Sequence, residues 1–484
     1  MRDNAVVVIE DDTKLRKKPR DNASATPVLA RVRNTYAAAA ANIGAIAAQG
    51  YLRDNAAMSE DDDKPRASAS SEAPAADKAA EVPPAGGETP PDGTAEEAAA
   101  APQQTVEQVL GSVHTSNFPD ILRELNACVL VSTYQAGKLV ILRPDGNSIN
   151  THFRTFNRPM GMAADRQRLM LGAMMEIAEF RNMPDVAKRL HDPPVHDAVY
   201  MARRGHITGH IDIHEMAWDA DGAIWFINTL FSCLCTLDTK SSFVPRWRPK
   251  FVSHYAPEDR CHLNGLAMRN GIARYVTALG ETNTHEGWRA NKRNGGLIID
   301  VTTNRVITRG LSMPHSPRWY DNRLWVLESG RGALCTVDVK TGERTDVARV
   351  PGFCRGLDFV GPVAFIGLSQ LRGTTPFTDI PITDDNSDRL SGVWVVHIGT
   401  GKTIAFLKFT GGVQEIFAVQ AVPGVLFPEI VHEGELLATA YALPEKALRE
   451  VAVAAPREPE TDAPATPGIG YGAAAASSEG TGNP

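Results

Sequence analysis

No stretch of this sequence is both apolar and long enough to cross a bilayer as a helix. The nearest approach, the alanine-rich segment 37–48, is short and weakly apolar, whereas a spanning helix needs about 20 predominantly apolar residues. The start, MRDNAVVVIEDDTKLRKK, has no apolar core of signal-peptide length. A strong basic excess is also missing. Lys and Arg number 50 against 57 Asp and Glu, a net charge of −7, which is not the footprint of a nucleic-acid binder. The basic run KLRKKPR at 14–20 reads as a solvated cluster in a tail. These absences lead to the expectation of a soluble, cytoplasmic protein with neither nucleic-acid nor membrane partners.

Familiar catalytic signatures are lacking as well. There is no G-x-S-x-G elbow and no glycine-rich phosphate loop. His214-Glu215 is followed by Met-Ala-Trp, so it is not the H-E-x-x-H helix of zinc proteases. The six cysteines contain no C-x-x-C pair. Most lie in apolar strand-like runs (CVLVSTY, SCLCTLD, ALCTVD) and read as buried reduced thiols. Cys233 and Cys235, two apart on a strand, share a face without forming a zinc spacing.

The ends of the chain have little that could form a core. Residues 59–105 contain no aromatic side chain, and the tail after Pro444 is similarly rich in Ala, Pro, Glu, Thr and Gly. Such segments bury too little apolar surface to offset chain entropy. The expected organisation is a disordered N-terminal arm (1–111), one folded domain (112–443) and a disordered C-terminal tail (444–484). The N-terminal arm is a candidate for recruiting a protein partner.

Within the folded part, short runs of β-branched and aromatic residues alternate with Gly, Asp, Asn and Pro turns, and helical periodicity is nearly absent. Six segments share one pattern, an alternating apolar run, a turn and a second run: RPMGMAAD (158–165), DIHEMAWD (212–219), HLNGLAM (262–268), PHSPRWYD (314–321), CRGLDF (354–359) and VQEIFAV (413–419). Each has a partner strand close behind it; for the sixth this is Val425 to Phe427. Several repeats continue into a third strand with an acidic end, as in CLCTLD (233–238), GLIID (296–300) and ALCTVD (333–338). Spacings of about 40 to 60 residues match a four-stranded propeller blade. Before the first repeat, CVLVSTY (128–134) and KLVIL (138–142) look like second and third strands without an inner strand. The sixth repeat would supply that strand and close the ring. The predicted fold is all-β, a six-bladed β-propeller with disordered N- and C-terminal arms.

In such a ring the inner strands line a central channel. Their starts carry Arg158, His214, Glu215, His262, Asn264, His315 and Arg355, where a structural role would call for small or apolar residues. The second strands end in residues such as Asn228 and Glu328. Three readings of this set stand side by side. His214, His262 and Glu215 can hold a divalent metal ion from different blades. Arg158, Arg355 and neutral histidines can line a pocket for a polar or anionic ligand, with Asn264, His315 and Glu328. The groups can also satisfy one another and a water column. Three long segments are expected on the same face: 182–209, with His191, His196 and His206; 282–294, with Trp288 and Arg289; and 371–391. Trp288 among basic residues suits an anionic or sugar-like ligand. Trp218, Trp225, Trp319, Trp325 and Phe359 read as core, and Asp219 and Asp321 as turn caps.

VLVSTYQAGKLV, HEMAWD, CHLNGLA, MPHSPRW, ESGRG and CRGLDF resemble a bacterial family of conserved proteins of unknown function, over about 116–426. More distantly, the six-fold pattern is similar to the gluconolactonase and strictosidine-synthase-like propellers. That resemblance implies a divalent metal atop the channel, with Glu215, Asn264 and Glu328 in ligand positions, although histidines and arginines stand where oxygen ligands are expected. The expectation is a small polar or anionic ligand at one end of the channel. The alternatives are a metal-dependent hydrolase or lactonase with Glu215 or His214 as base, and a protein-interaction scaffold.

Overall fold

The computed structural model of the protein describes residues 110–370, 379–384 and 388–451. Apart from their innermost residues, the two expected arms lie outside the described residues. The described chain forms six antiparallel-built sheets. Their inner strands neighbour one another in order around a closed ring, the sixth next to the first. The fold is a six-bladed β-propeller.

Blades 2, 3 and 4 are continuous hairpin meanders of four strands, beginning at Ile213–Trp218, Leu263–Arg269 and Pro314–Tyr320. The turns follow from local chemistry. Asn270 and Gly271 both have positive φ in the first hairpin of blade 3, and Asp321 and Asn322 do in blade 4, the mirror-image turn that matches strand twist. The aspartates ending third strands cap the next turn: Asp238 accepts from the Lys240 and Ser241 amides, Asp300 from Thr302 and Thr303, and Asp338 from Lys340 and Thr341. Asp219 does the same for Asp221 and Ala223.

Ring closure uses both ends of the domain. Blade 6 takes its inner strand from Ala418–Pro423 and its other three from Ala127–Thr133, Lys138–Asp145 and Ser148–Thr155. Val131 sits opposite Val419. Two further clasps were not foreseen. Ser112–His114 adds a fifth strand to the outer edge of blade 5. Pro428–Val431 crosses to blade 1 and pairs parallel with Ala198–Ile207. The expected second strand at Val425 to Phe427 is therefore corrected: Ala127–Thr133 already fills that place, and the chain moves on. The expected loop 182–209 is corrected too, since Ala198–Ile207 is the fourth strand of blade 1. The segment before it joins third and fourth strands, so it lies at the opposite end of the channel from the inner-strand starts. A helix, Phe118–Leu125, buries Phe118, Ile121, Leu122 and Leu125 between blades 5 and 6, with Phe118 stacked on Phe365.

All six cysteines are buried and unpaired, and the Cys233 and Cys235 sulfurs share a face 3.5 Å apart. Trp325 is buried, and Trp218, Trp225 and Trp319 pack partly buried against the blade clusters.

A polar seam joins neighbouring blades near the channel. Hydroxyls at the ends of second strands donate to backbone carbonyls entering the next inner strand: Ser132 to Met160 O (2.5 Å), Thr229 to Leu263 O (2.6 Å), Ser329 to Cys354 O (2.6 Å) and Ser369 to Ile416 O (3.2 Å). Between blades 3 and 4 the Asn264 amide bridges to Pro314 O at 3.1 Å and is itself held by Thr277. Between blades 1 and 2 the second strand ends in Gly172, and backbone contact replaces the hydroxyl. A Cβ on Gly161 would lie 1.5 Å from the His214 carbonyl oxygen. Gly161→Ala should therefore destabilise the domain by about 3 kcal/mol or more, read as a drop in the urea midpoint. A midpoint equal to that of the natural chain would show that blades 1 and 2 do not approach this closely.

Candidate functional site at the channel mouth

At corresponding sequence positions at or just before the six inner strands stand Met160, His214, Asn264, His315, Arg355 and Phe417. The positions that follow them are mostly small, Gly161, Gly265, Ser316, Gly356 and Ala418, and Glu215 is the single acid among them. His214, Glu215, Asn264, His315, Ser316, Arg355 and Phe417 line one common cavity of about 10 Å³, about the space needed for a single water. These side chains pack around a small void at this end of the channel.

The two histidines lining it are held identically. His214 Nδ1 lies 3.0 Å from Asp212 O and 2.8 Å from Thr229 Oγ1. His315 Nδ1 lies 3.0 Å from Met313 O and 2.9 Å from Ser329 Oγ. The carbonyls can only accept, and both hydroxyls already donate their proton across the seam. Nδ1 must therefore be the protonated nitrogen in each ring, which leaves Nε2 with its lone pair. His214 Nε2 is buried with no hydrogen-bond partner. Burial, reinforced by the Arg355 charge, lowers both histidines well below their ordinary value, so both are neutral at pH 7.

Arg355 faces them from blade 5. Its guanidinium lies 3.5 Å over the Phe417 ring, and Nη2 is buried without an acceptor. Burial draws its pKa down to about 10, opposed by the charges of Asp212, Glu415 and Glu215; it remains a cation at pH 7. Glu215 pairs with Arg318 of blade 4 at 2.7 Å across the channel. Within electrostatic reach of that pair lies Asp358, which accepts from Gln420 and from the Ala421 amide. Burial pushes its carboxyl up to about 6 against the attraction of Arg318.

Other expected site residues surround this core at the rim. His262 donates from Nδ1 to Asp259 (2.8 Å), and its ring meets that of His214 edge-on with centroids 5.0 Å apart. Trp288, buried in the turn Gly287–Asn291, covers His262 at 4.5 Å and bonds the same Asp259 oxygen. Arg289 lies on the Trp288 ring and pairs with Glu286. Arg158 lies 4.4 Å over Tyr134. Glu328 is placed elsewhere: it accepts from the Ser312 amide and pairs with Arg331 and Arg344. Its neighbours Cys335 and Asp346 complete the one group of three acidic or thiol ligand atoms lying within 4.8 Å of one another among the described residues, and the arginines that neutralise it make it a poor cation site. His214, His262 and Glu215 do not meet that spacing. The segment 371–378 and residues 385–387 of the third long loop lie outside the described residues.

Sequence reasoning missed Thr229, Ser329, Asp259, Asp358 and Phe417. The first two had a signal, a hydroxyl directly after a polar second-strand end in both Asn228-Thr229 and Glu328-Ser329.

Residues 116–431 match the family model described as Domain of unknown function (DUF4915). The chain belongs to this family. No curated protein matches. Among solved structures it is similar to a nidogen/laminin complex chain (10% identity, 62% of this chain and 99% of that one, TM-score 0.41). It is also similar to a catalytically inactive virginiamycin B lyase from Staphylococcus aureus with quinupristin (10% identity, 62% and 98%, TM-score 0.32) and to a protein of unknown function from Bacteroides caccae (10% identity, 61% and 98%, TM-score 0.40). Among the described residues no helix is long and apolar enough to cross a membrane.

The tautomer lock has a consequence for stability. A histidine whose folded pKa lies below its unfolded value of about 6.5 contributes stability that is present above pH 6.5 and lost as pH falls below it. The urea midpoint should therefore decline from about pH 6.5 toward 5. In His315→Gln that slope should be smaller. Equal slopes in the two proteins would mean that His315 is not held neutral.

Proposed function

We propose that this protein is a binding module that captures a small polar or anionic ligand at the channel mouth, with one oxygen-bearing group inserted between the blades. The observation that carries this reading is a pair of buried, unpartnered atoms on one cavity: His214 Nε2, an acceptor, and Arg355 Nη2, a donor. One hydroxyl oxygen serves both, donating its proton to the imidazole and accepting from the guanidinium; a hydroxy acid offers that hydroxyl together with a carboxylate for the rim. Buried groups of this kind discriminate strongly, because a ligand lacking the matching atom leaves them unpaired. The cavity itself admits about one oxygen, so the rest of the ligand sits at the rim near His262, Arg158 and Tyr134.

A metal-assisted hydrolase is the second reading. It is favoured by the two Nε2 lone pairs, since metal-binding histidines commonly have the opposite nitrogen fixed by a carbonyl. The Arg355 charge on the same cavity weighs against a resident cation. The two readings separate in a calorimetric titration of hydroxycarboxylates (lactate, gluconate, citrate) into the full chain, alone and with added Zn²⁺. Saturable binding without metal, weakened at least about tenfold in Arg355→Ala (about 1.4 kcal/mol), is the expected result. No binding by any of the three, with or without metal, would overturn the module reading. Binding that requires Zn²⁺ would replace it with the metal one.

A further inference from the structure

Four consecutive blades repeat one backbone feature at the rim of the channel mouth. Two residues before Met160, His214, Asn264 and His315 stand Arg158, Asp212, His262 and Met313, with φ of 53°, 53°, 47° and 48°. Non-glycine residues rarely take this left-handed conformation, and its repetition marks a shared way of entering the inner strand. The four side chains divide the rim into two halves. On blades 3 and 4 they are covered. His262 donates to Asp259 beneath Trp288, and Met313 packs with Trp288, Phe353 and Ile380 in a buried apolar cluster.

On blades 1 and 2 the side chains at this position are charged, and their bonding capacity is unspent. Among the described residues Arg158 makes neither a hydrogen bond nor an ion pair, and its guanidinium rests on the face of Tyr134. The Asp212 carboxylate, 27% exposed, accepts no hydrogen bond among them either. His214 Nδ1 lies 4.0 Å from its Oδ2, too far for one. Asp212 is nevertheless close to the cavity, since it is the first of the charges that favour the cationic form of Arg355. The strands carrying the two residues run against each other here: a Cβ on Gly161, three residues after Arg158, would strike the His214 carbonyl, two residues after Asp212. A cation and an anion thus occupy equivalent places on adjoining blades without pairing.

We propose that this open half of the rim receives the head of an α-amino acid, Arg158 taking the carboxylate and Asp212 the ammonium, and that the ligand of the mouth is a small hydroxyl-bearing amino acid such as serine. The proposal rests on the reading of the mouth as a hydroxyl-binding cavity. A guanidinium presents two parallel N–H donors to the two oxygens of a carboxylate, and an aromatic face beneath it leaves that edge free. Asp212 repels a second carboxylate and accepts from an ammonium. Opposite charges on one carbon are the feature of an amino acid that matches two unpaired opposite charges on adjoining strands. A hydroxy acid fills the cavity and Arg158 but offers Asp212 only a neutral hydroxyl, and charge-assisted bonds are roughly twice as strong as neutral ones.

The test is a calorimetric titration of the full chain with L-serine, glycerate, ethanolamine and L-alanine. Relative to serine, glycerate exchanges the ammonium for a hydroxyl, ethanolamine lacks the carboxylate and alanine lacks the hydroxyl. Serine should bind most tightly, and the other three at least about tenfold more weakly. Asp212→Asn should abolish the preference for serine over glycerate and leave glycerate binding within about threefold. Arg158→Gln should weaken serine and glycerate but not ethanolamine. Neither side chain makes a hydrogen bond within the described fold, and the retained binding of glycerate or ethanolamine shows that each variant is folded. Glycerate bound as tightly as serine, and weakened in Arg355→Ala, would overturn the amino-acid head while leaving the hydroxyl-binding mouth in place. Serine binding unchanged in both Asp212→Asn and Arg158→Gln would overturn it too. No binding by serine or glycerate would overturn both readings.

Discussion

The hydrogen bond from the end of one blade's second strand to the carbonyl entering the next inner strand is the interaction on which the channel depends. A propeller must seat six wedge-shaped sheets around an axis where side chains have little room, and small residues such as Gly161 and Gly265 allow that approach. The approach also brings backbone carbonyls of adjacent blades into a region shielded from water, where an unpaired polar group costs about 1–3 kcal/mol. Ser132, Thr229, Ser329 and Ser369 meet that demand directly, and Asn264 with Thr277 meets it in blade 3. Where no hydroxyl is present, Gly161 and Gly172 let backbones close instead.

The same bonds set the chemistry of the mouth. Because Thr229 and Ser329 donate their only proton across the seam, they can only accept from His214 and His315, and each ring is locked with its lone pair away from the strand. The histidines are thus structural on one nitrogen and available on the other. Arg355 lines the same cavity with a buried guanidinium N–H and no acceptor, and the one acid on that cavity, Glu215, is engaged by Arg318. The cavity holds a donor and an acceptor in reserve rather than a fully satisfied network.

Much of this was legible in the sequence. The inner strands of blades 1 to 5, their partners and the closure through blade 6 follow from a two-residue alternation repeated at blade spacing, the strongest local signal a β domain offers. Arg158, His214, Glu215, His262, Asn264, His315 and Arg355 stood out because strand starts in a tight ring favour small residues. What escaped depends on the third dimension. The two-turn helix Phe118–Leu125 is too short to outweigh its strand-rich surroundings. The strand Pro428–Val431 has its partner more than 200 residues away, so alternation alone assigned the preceding residues to the wrong sheet. Glu328 occupies a second-strand end like Asn228, yet Arg331 and Arg344 draw it from the channel, and pair formation of that kind is invisible to spacing. The insertion carrying His191 and His196 looked like a loop over the mouth. Counting strands places it at the other end.

The central claim is that the blade seam fixes His214 and His315 as neutral rings protonated on Nδ1. Nitrogen-15 NMR of the histidine-labelled protein at pH 7, correlating ring nitrogens with ring carbon-bound protons, reads this directly. Among the rings that show the pattern of the Nδ1–H tautomer, one set of signals should vanish in His214→Gln and another in His315→Gln. Signals from these rings with the proton on Nε2, or on both nitrogens, would contradict the account.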